Sequence, residues 1–133
     1  MRAPEQLHGT RVVAAPAILD ELAAWPEPSA LPGGVTLLRL AADDLLMIHQ
    51  GSVKAAWKGE SSIQEKESGF VGWWLTPEEL DHVVTHVDWP LPADRPALAQ
   101  GLIAGVPAKL WLEEDRALLL CTAAYAHELE ERL

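Results

Sequence analysis

The segment from Gly69 to Pro90 predicts a buried strand that is followed at once by a capped helix. The run from Phe70 to Leu75 is apolar and holds two adjacent tryptophans, which point to opposite faces if the run is a strand. Thr76 and Glu79 have the spacing of a capping box, and Pro77 suits the first helical position. Apolar residues then recur at helical spacing until the next proline. The segment therefore predicts a strand and a helix.

The length of the chain indicates one domain, and its charge argues against a nucleic-acid partner. A chain of 133 residues has the length of one domain, 1–133, and residues 1–10 lack any period and are expected to be disordered. Twenty acidic residues against ten Lys and Arg give a formal net charge of −10, with no basic cluster. Because nucleic-acid affinity comes mainly from Lys and Arg that neutralise phosphates, we expect no nucleic-acid partner.

The cysteine count and the apolar runs bear on location. One cysteine, Cys121, cannot form an intramolecular disulfide, and its leucine-rich context predicts a buried, inert thiol. The first ten residues have no apolar export segment, and the run from Pro96 to Ala108 is too short to span a bilayer. The sequence thus predicts a cytoplasmic protein without membrane contact.

The other patterns predict three further helical segments and two hairpins. They are a helix that opens at Pro16, a hairpin over Val35 to His49, a third strand near Val53 to Trp57 with a loop or weak edge strand after it, a helical turn over Ala97 to Ile103, a hairpin over Ala108 to Cys121, and a last helix capped by Thr122. This order, roughly α-βββ-α(α)-ββ-α, predicts the α+β class. We expect one antiparallel sheet of four to five strands, two hairpins plus a middle strand, packed by three to four helices.

The sequence contains one pattern twice, which we call the sequence echo. Trp25 to Pro32 and Trp89 to Pro96 share the spacing W-P-x-P-x-x-x-P, and each precedes a hairpin. The two hairpins align, with Asp43 matching Asp115 at the turn. Two explanations fit this echo: a duplicated unit, or chance similarity in a chain rich in Pro, Ala and Leu. The unequal linkers favour chance similarity.

Apolar residues fill successive strand positions in Leu45 to Ile48 and in Leu118 to Leu120, so both faces of the sheet are expected to be apolar. Too few helices are predicted to cover both faces, and large exposed apolar patches mark interaction sites. The sequence therefore predicts a homodimer that also binds another protein. The side chains expected at the partner surface are Trp111, Trp73, Trp74 and Met47.

No catalytic or cofactor signature is present in the sequence, and no cofactor is expected. His82 and His86 are separated by one helical turn, a spacing that can grip one metal ion, although a further ligand must come from elsewhere. A solvated polar helix face explains the same pair without any metal. The alternatives to protein binding are thus a small enzyme or metal-binding domain that uses these histidines, or ligand binding in a pocket lined by tryptophans.

The predicted element order resembles that of the small acidic dimeric chaperones of type III secretion, which are similar in size and acidity. No residue motif carries this resemblance, which is one of fold order only. It implies a dimer that binds another protein. On these grounds the sequence predicts an acidic protein-binding or adapter domain with a chaperone-like role.

Overall fold

The computed structural model describes residues 3–23, 35–49 and 62–133 of the chain. These residues divide into two compact units. The five-stranded unit comprises residues up to 6 together with Gly69–Leu133, and the four-stranded unit comprises Leu7–Ser68. The prediction of one sheet packed by three to four helices is wrong, because the described residues form two antiparallel sheets and only three short helices.

The described residues form nine strands, three α-helices and one 3₁₀ turn. In chain order they are β1 (Glu5–Gln6), β2 (Gly9–Ala14), α1 (Pro16–Ala23), β3 (Thr36–Ala41), β4 (Asp44–Ile48), β5 (Ser62–Glu67), β6 (Phe70–Leu75), α2 (Pro77–Val84), β7 (Ala97–Ile103), β8 (Val106–Leu112), β9 (Ala117–Thr122), the 3₁₀ turn (Ala123–Tyr125) and α3 (Ala126–Arg132).

The four-stranded unit has the strand order β3-β4-β2-β5, and every neighbouring pair is antiparallel. Alternate residues of β2 and β4 point to one face and pack with the buried Leu19 of α1. The buried core on this face consists of Val12, Ala14, Leu19, Leu45 and Met47. The predicted hairpin of β3 and β4 is confirmed, with its turn at Ala42 and Asp43.

The five-stranded unit has the strand order β1-β6-β9-β8-β7, again antiparallel throughout. Its core holds one face of β6, β7, β8 and β9 together with Val83 of α2 and Leu129 of α3. Both helices are short and have one apolar stripe, which they bury in this core. The strand predicted at Phe70–Leu75 and the hairpin of β8 and β9 are confirmed.

The helix α2 begins where the sequence placed it. Thr76 Oγ1 accepts a hydrogen bond from the backbone N–H of Glu79, and Glu79 Oε1 accepts one from the backbone N–H of Thr76. Pro77 opens the helix at a position whose N–H would have no partner in the helix. The helix ends at Val84, and turn residues follow it.

The helical turn expected over Ala97–Ile103 is wrong, because these residues form the edge strand β7. A two-residue turn, Ala104 and Gly105, joins β7 to β8, and both residues have positive φ (51° and 76°), as a type I′ hairpin requires. The turn and the partner strand β8 therefore overrule the helical preference of Ala, Leu and Gln.

The first residues and the polar middle segment contribute strands. β1 and the start of β2 lie within residues 1–10, for which the sequence predicted disorder. The weak edge strand expected near residue 62 is present as β5, which pairs along the whole of β2 at the edge of the four-stranded sheet. The third strand expected near Val53 to Trp57 and the proline segment from Trp25 to Pro32 lie outside the described residues.

The two sheets repeat one topology. In the four-stranded unit β2, α1, β3 and β4 follow each other along the chain, and the strands lie in the order β3-β4-β2-β5. In the five-stranded unit β6, α2, β8 and β9 give the order β8-β9-β6-β1, with β7 added outside β8. The starts of β2 and β6 are 61 positions apart, as are Pro16 and Pro77, the first residues of the two helices. This shared order supports duplication over chance as the source of the sequence echo.

The strand that precedes each repeat pairs in the sheet of the other repeat. β1 comes directly before β2 in the chain but pairs with β6, whereas β5 comes directly before β6 but pairs with β2. Each sheet is therefore completed by a strand that the other half of the chain supplies.

Candidate protein-binding surface

Two of the four side chains predicted for a partner surface are buried. Trp73 is 3 % exposed and lies in the core of the five-stranded unit, and Met47 is 1 % exposed and lies in the core of the four-stranded unit. Strand alternation explains both positions, because each residue shares its face with other core residues. The prediction that Trp73 and Met47 present a surface to a partner is corrected by this burial.

The other two predicted residues, Trp74 and Trp111, lie on the opposite face of the five-stranded sheet in one row. Both face Leu118, Trp74 from β6 and Trp111 from β8. Two strand spacings separate them by roughly 10 Å. Arg116 stacks on the Trp74 ring at 3.8 Å, and Glu113 accepts hydrogen bonds of 2.9 Å from both Arg116 Nε and Trp111 Nε1. The four side chains thus form a connected, partly exposed group.

The apolar strand residues from which the sequence predicted a dimer are buried within a single chain, except Ile48, which is half-buried. Leu45, Leu46 and Met47 are each 1 % exposed, and Leu118 to Leu120 are fully buried. Both alternating sets of side chains in these strands are therefore sheltered without a second copy. Any interface has to lie elsewhere.

The two candidate metal ligands lie close together at the end of α2. The His82 and His86 rings are 5.4 Å apart, and His82 Nε2 donates a hydrogen bond of 2.8 Å to the carbonyl oxygen of Leu133. A ring nitrogen that donates a proton in this way has no lone pair for a metal. Among residues 3–23, 35–49 and 62–133, no group of three or more His, Cys, Asp or Glu is placed to hold a metal ion.

The one cysteine is buried in β9, as its sequence context predicted. Burial raises the pKa of the Cys121 thiol to about 11, because the thiolate loses hydration in the core. A thiol in this state is a poor nucleophile near neutral pH.

Sheet edges are the places where one chain can pair with another, and of the four edges formed by the described strands three are protected. β5 presents Glu65, Lys66 and Glu67, and charged side chains discourage edge pairing. β1 is only two residues long and follows Pro4. β3 has a register shift after Arg39, whose guanidinium binds the carbonyl oxygens of the adjoining turn.

The fourth edge, β7, follows Pro96 as β1 follows Pro4, but along its first half it has neither the shortness of β1 nor the charges and register shift of the other edges. Its seven residues, ALAQGLI, include no charge and no proline, and it pairs only with β8 in the part of the chain that the structure describes. Trp89 Nε1 donates a 2.9 Å hydrogen bond to Leu102 O, which covers the last residues of this edge. Leu102 itself stays 56 % exposed. The segment Ala97–Ala99 is therefore the least protected strand edge among the described residues.

The backbone direction along this edge follows from the hairpin turn. Ile103 and Val106 flank the two-residue turn and form a hydrogen-bonded pair. Because the direction alternates along a strand, Ile103, Gly101, Ala99 and Ala97 direct their N–H and C=O groups towards β8. Leu98 lies in the alternate set, like Leu102, whose carbonyl accepts from Trp89. The backbone N–H and C=O of Leu98 therefore point away from the sheet.

No described helix is long and apolar enough to cross a membrane. Comparison of the chain with protein-family models, with curated proteins and with solved structures found no match in any of the three.

Proposed function

We propose that this protein is a protein-binding module that acts as a homodimer, with β7 of one copy paired antiparallel to β7 of the other. The observation that carries the proposal is the seven-residue, uncharged edge of β7 in a sheet whose other edge strand, β1, has only two residues. Such an edge offers a row of backbone donors and acceptors to a second strand.

The charge distribution favours a second copy at this edge. A protein with a net charge of −10 repels its own copy unless the contact lies away from the acidic residues. Nine of the twelve acidic residues of the five-stranded unit lie on α2, on α3 and in the turn between β8 and β9. β7 carries none, and the nearest acid before it in the chain is Asp94. Antiparallel pairing of identical strands also closes on itself and produces a dimer and not a chain of copies.

The substitution Leu98→Pro tests the pairing. Proline removes the outward N–H at this position and leaves the hydrogen bonds between β7 and β8 in place, because the neighbouring residues make them. Size-exclusion chromatography with light scattering at about 100 µM protein, a concentration at which weak dimers form, should show a dimer for the natural sequence and a monomer for Leu98→Pro. The substitution should raise the dissociation constant of the dimer at least about tenfold.

Leu98→Ala is the matched control, because it shortens the same side chain and keeps the N–H. It should remain dimeric within a fewfold change in affinity. If the natural sequence is a monomer at this concentration, or if Leu98→Pro dimerises as well as Leu98→Ala, pairing through β7 is refuted.

The alternative of a metal-binding domain has less support from the site. The pair His82 and His86 is adjacent, but one nitrogen of His82 already donates to Leu133 O, and no third ligand lies close in the described part. Elemental analysis of the purified protein tests this alternative. The proposal of a protein-binding homodimer includes a cytoplasmic location.

A further inference from the structure

A row of apolar side chains crosses one face of the five-stranded sheet and ends at the edge residue Leu98. Trp74 of β6 faces Leu118 of β9, and Leu118 also faces Trp111 of β8. Trp111 in turn faces Leu98 of β7, which is half-buried. We call Trp74, Leu118, Trp111 and Leu98 the tryptophan row. The position of Leu98 relative to a second copy decides whether this row continues into the dimer.

The neighbouring row at the same edge is polar. Gln100 faces Lys109 of β8, and Gln100 Oε1 accepts a 2.9 Å hydrogen bond from Lys109 Nζ. Because Gln100 lies two positions after Leu98, its side chain is on the same face of the sheet. The edge of β7 thus presents an apolar row at Leu98 and a polar row at Gln100.

The second half of the β7 edge is covered by the segment that follows α2. Trp89 Nε1 donates to Leu102 O, and Ala104 N–H donates a 3.0 Å hydrogen bond to His86 O. The Trp89 ring lies against Gly101, where an added Cβ would come within 2.7 Å of a ring carbon. Glycine therefore leaves the space that this ring occupies. The outward carbonyl of Leu102 is thus taken by Trp89 of the same chain.

Two identical antiparallel strands pair about a two-fold axis, which lies between the two copies of one residue. Residues with outward backbone groups face each other in such a pair, so the axis fixes which residues meet. An axis at Ala99 sets Leu102 opposite Pro96 of the copy. An axis at Gln100 sets Leu102 opposite Leu98. Both bring the backbone of the copy to Leu102, where Trp89 already binds the carbonyl.

An axis at Ala97 sets Leu98 opposite Pro96 of the copy, which has no N–H for the outward carbonyl of Leu98. With the axis at Leu98, the N–H and C=O of Leu98 in each copy bind those of the other. Leu102 then lies opposite Asp94, which is outside β7, so the contact with Trp89 is kept.

The side chains favour the same axis. With the axis at Leu98, the apolar end of one tryptophan row meets the apolar end of the other, and apolar cross-strand pairs stabilise a sheet. With the axis at Ala99, each Leu98 faces Gln100 of the copy, whose side chain is bound to Lys109.

We propose that the two-fold axis of the dimer lies at Leu98, so that Leu98 pairs with Leu98 of the copy and the two tryptophan rows form one continuous row. This inference rests on the proposed function, because it locates the axis of the β7 pair. It sets Trp111 beside the paired leucines, whereas Trp74 lies two strands farther from the interface.

NMR of the natural chain locates the axis without any substitution. In a sample that mixes carbon-13-labelled and unlabelled chains at about 1 mM, contacts between labelled and unlabelled Hα atoms report which residues face each other across the dimer. With the axis at Leu98, Ala97 and Ala99 form a non-hydrogen-bonded pair whose Cα atoms are about 4.5 Å apart, so their Hα atoms should give a strong inter-chain contact. The same mixture of Leu98→Pro chains is the control and should give none.

Cross-linking with a short reagent that joins two thiols gives a second measurement. Leu98→Cys should be cross-linked, because the Cα atoms of a hydrogen-bonded pair are about 5.5 Å apart. Gln100→Cys should be cross-linked at least about tenfold less, because its two copies lie roughly 15 Å apart in this register. The natural chain is the control, because its one thiol, Cys121, is buried.

The outcomes separate this inference from the proposed function. Inter-chain contacts of Ala99 with Ala99, of Ala99 with Gly101 or of Ala97 with Ala97 would move the axis and overturn the inference, while pairing through β7 would stand. Equal cross-linking of Leu98→Cys and Gln100→Cys would overturn it as well. A natural chain that is a monomer by light scattering, or a dimer without contacts between the two β7 strands, would refute pairing through β7 and this axis with it.

Discussion

The guanidinium of Arg116 lies 3.8 Å from the centre of the Trp74 ring, and its Nε donates to Glu113. The Arg116 side chain is 52 % exposed, and a cation on an exposed ring stabilises by about 0.5–1 kcal/mol. Arg116→Ala should therefore lower the free energy of unfolding by no more than about 1 kcal/mol while changing the near-ultraviolet circular dichroism of the tryptophans. Arg116→Lys keeps the charge without the planar stack and should give an intermediate spectrum. A loss above about 3 kcal/mol would show that this contact is part of the core.

The capping box of α2 should contribute measurably to stability. Thr76 Oγ1 accepts from the Glu79 N–H, and substitution of a capping Thr by Ala costs about 0.5–2 kcal/mol. Thr76→Ala should lower the free energy of unfolding in urea by that amount. Glu78→Ala changes an exposed residue of the same turn that does not cap, and it should cost less than about 0.5 kcal/mol. Equal losses for the two variants would contradict a specific role of the cap.

Gly9 should not tolerate a side chain. A Cβ at this position would overlap with the carbonyl oxygen of Met47 on the adjacent strand, so the backbone of β2 or β4 would have to move. Gly9→Ala should lower the free energy of unfolding by about 1–3 kcal/mol, the usual range for overpacking. Val13→Ala on the same strand removes a side chain that is 38 % exposed and should cost less than about 1 kcal/mol. A fully stable Gly9→Ala protein would contradict the close approach of β2 and β4 at this position.

The buried thiol should make stability fall at high pH. The pKa of Cys121 is about 11 in the folded chain against 9.0 when unfolded, so the unfolded state releases the proton first. The contribution of this group is fully present below pH 9 and is lost as the pH rises towards 11, by about 2–3 kcal/mol in total. Urea unfolding of the natural chain and of Cys121→Ala from pH 8 to 11 measures it, because the difference between their slopes isolates the thiol. Parallel curves would contradict this burial.

Local signals in the sequence were enough to locate several elements. The capping box of Thr76 and Glu79 placed the start of α2, and the apolar run of Phe70–Leu75 placed β6. The hairpins around Asp43 and Asp115 were also recognisable, because turn residues between two apolar runs act over a few positions only. The sequence echo pairs the same two hairpins that the repeated topology relates, although the unequal linkers favoured chance as its source.

The candidate sites were harder to anticipate. Trp74 and Trp111 are partly exposed and lie on one sheet face, and their role at a partner surface stays a prediction, whereas Trp73 and Met47 lie in the core. Side chains alternate between the two faces of a strand, but the sequence of the strand does not show which face is packed against the core. The open edge of β7 was missed, because its Ala, Leu and Gln favour a helix when they are taken alone.

The sequence by itself determined where the chain turns, where α2 begins and which runs are apolar enough to be strands, because each of these depends on neighbours within a few residues. Only the tertiary structure decided that β1 pairs with β6, that β5 pairs with β2 and that the strands form two sheets. Such pairings join residues about 60 positions apart, as between Gly9 and Glu67, and a strand shows in its own residues that it needs a partner but not which one. The exposed edges, including that of β7 where binding is proposed, are the sides of strands that remain unpaired once these long-range pairings have formed.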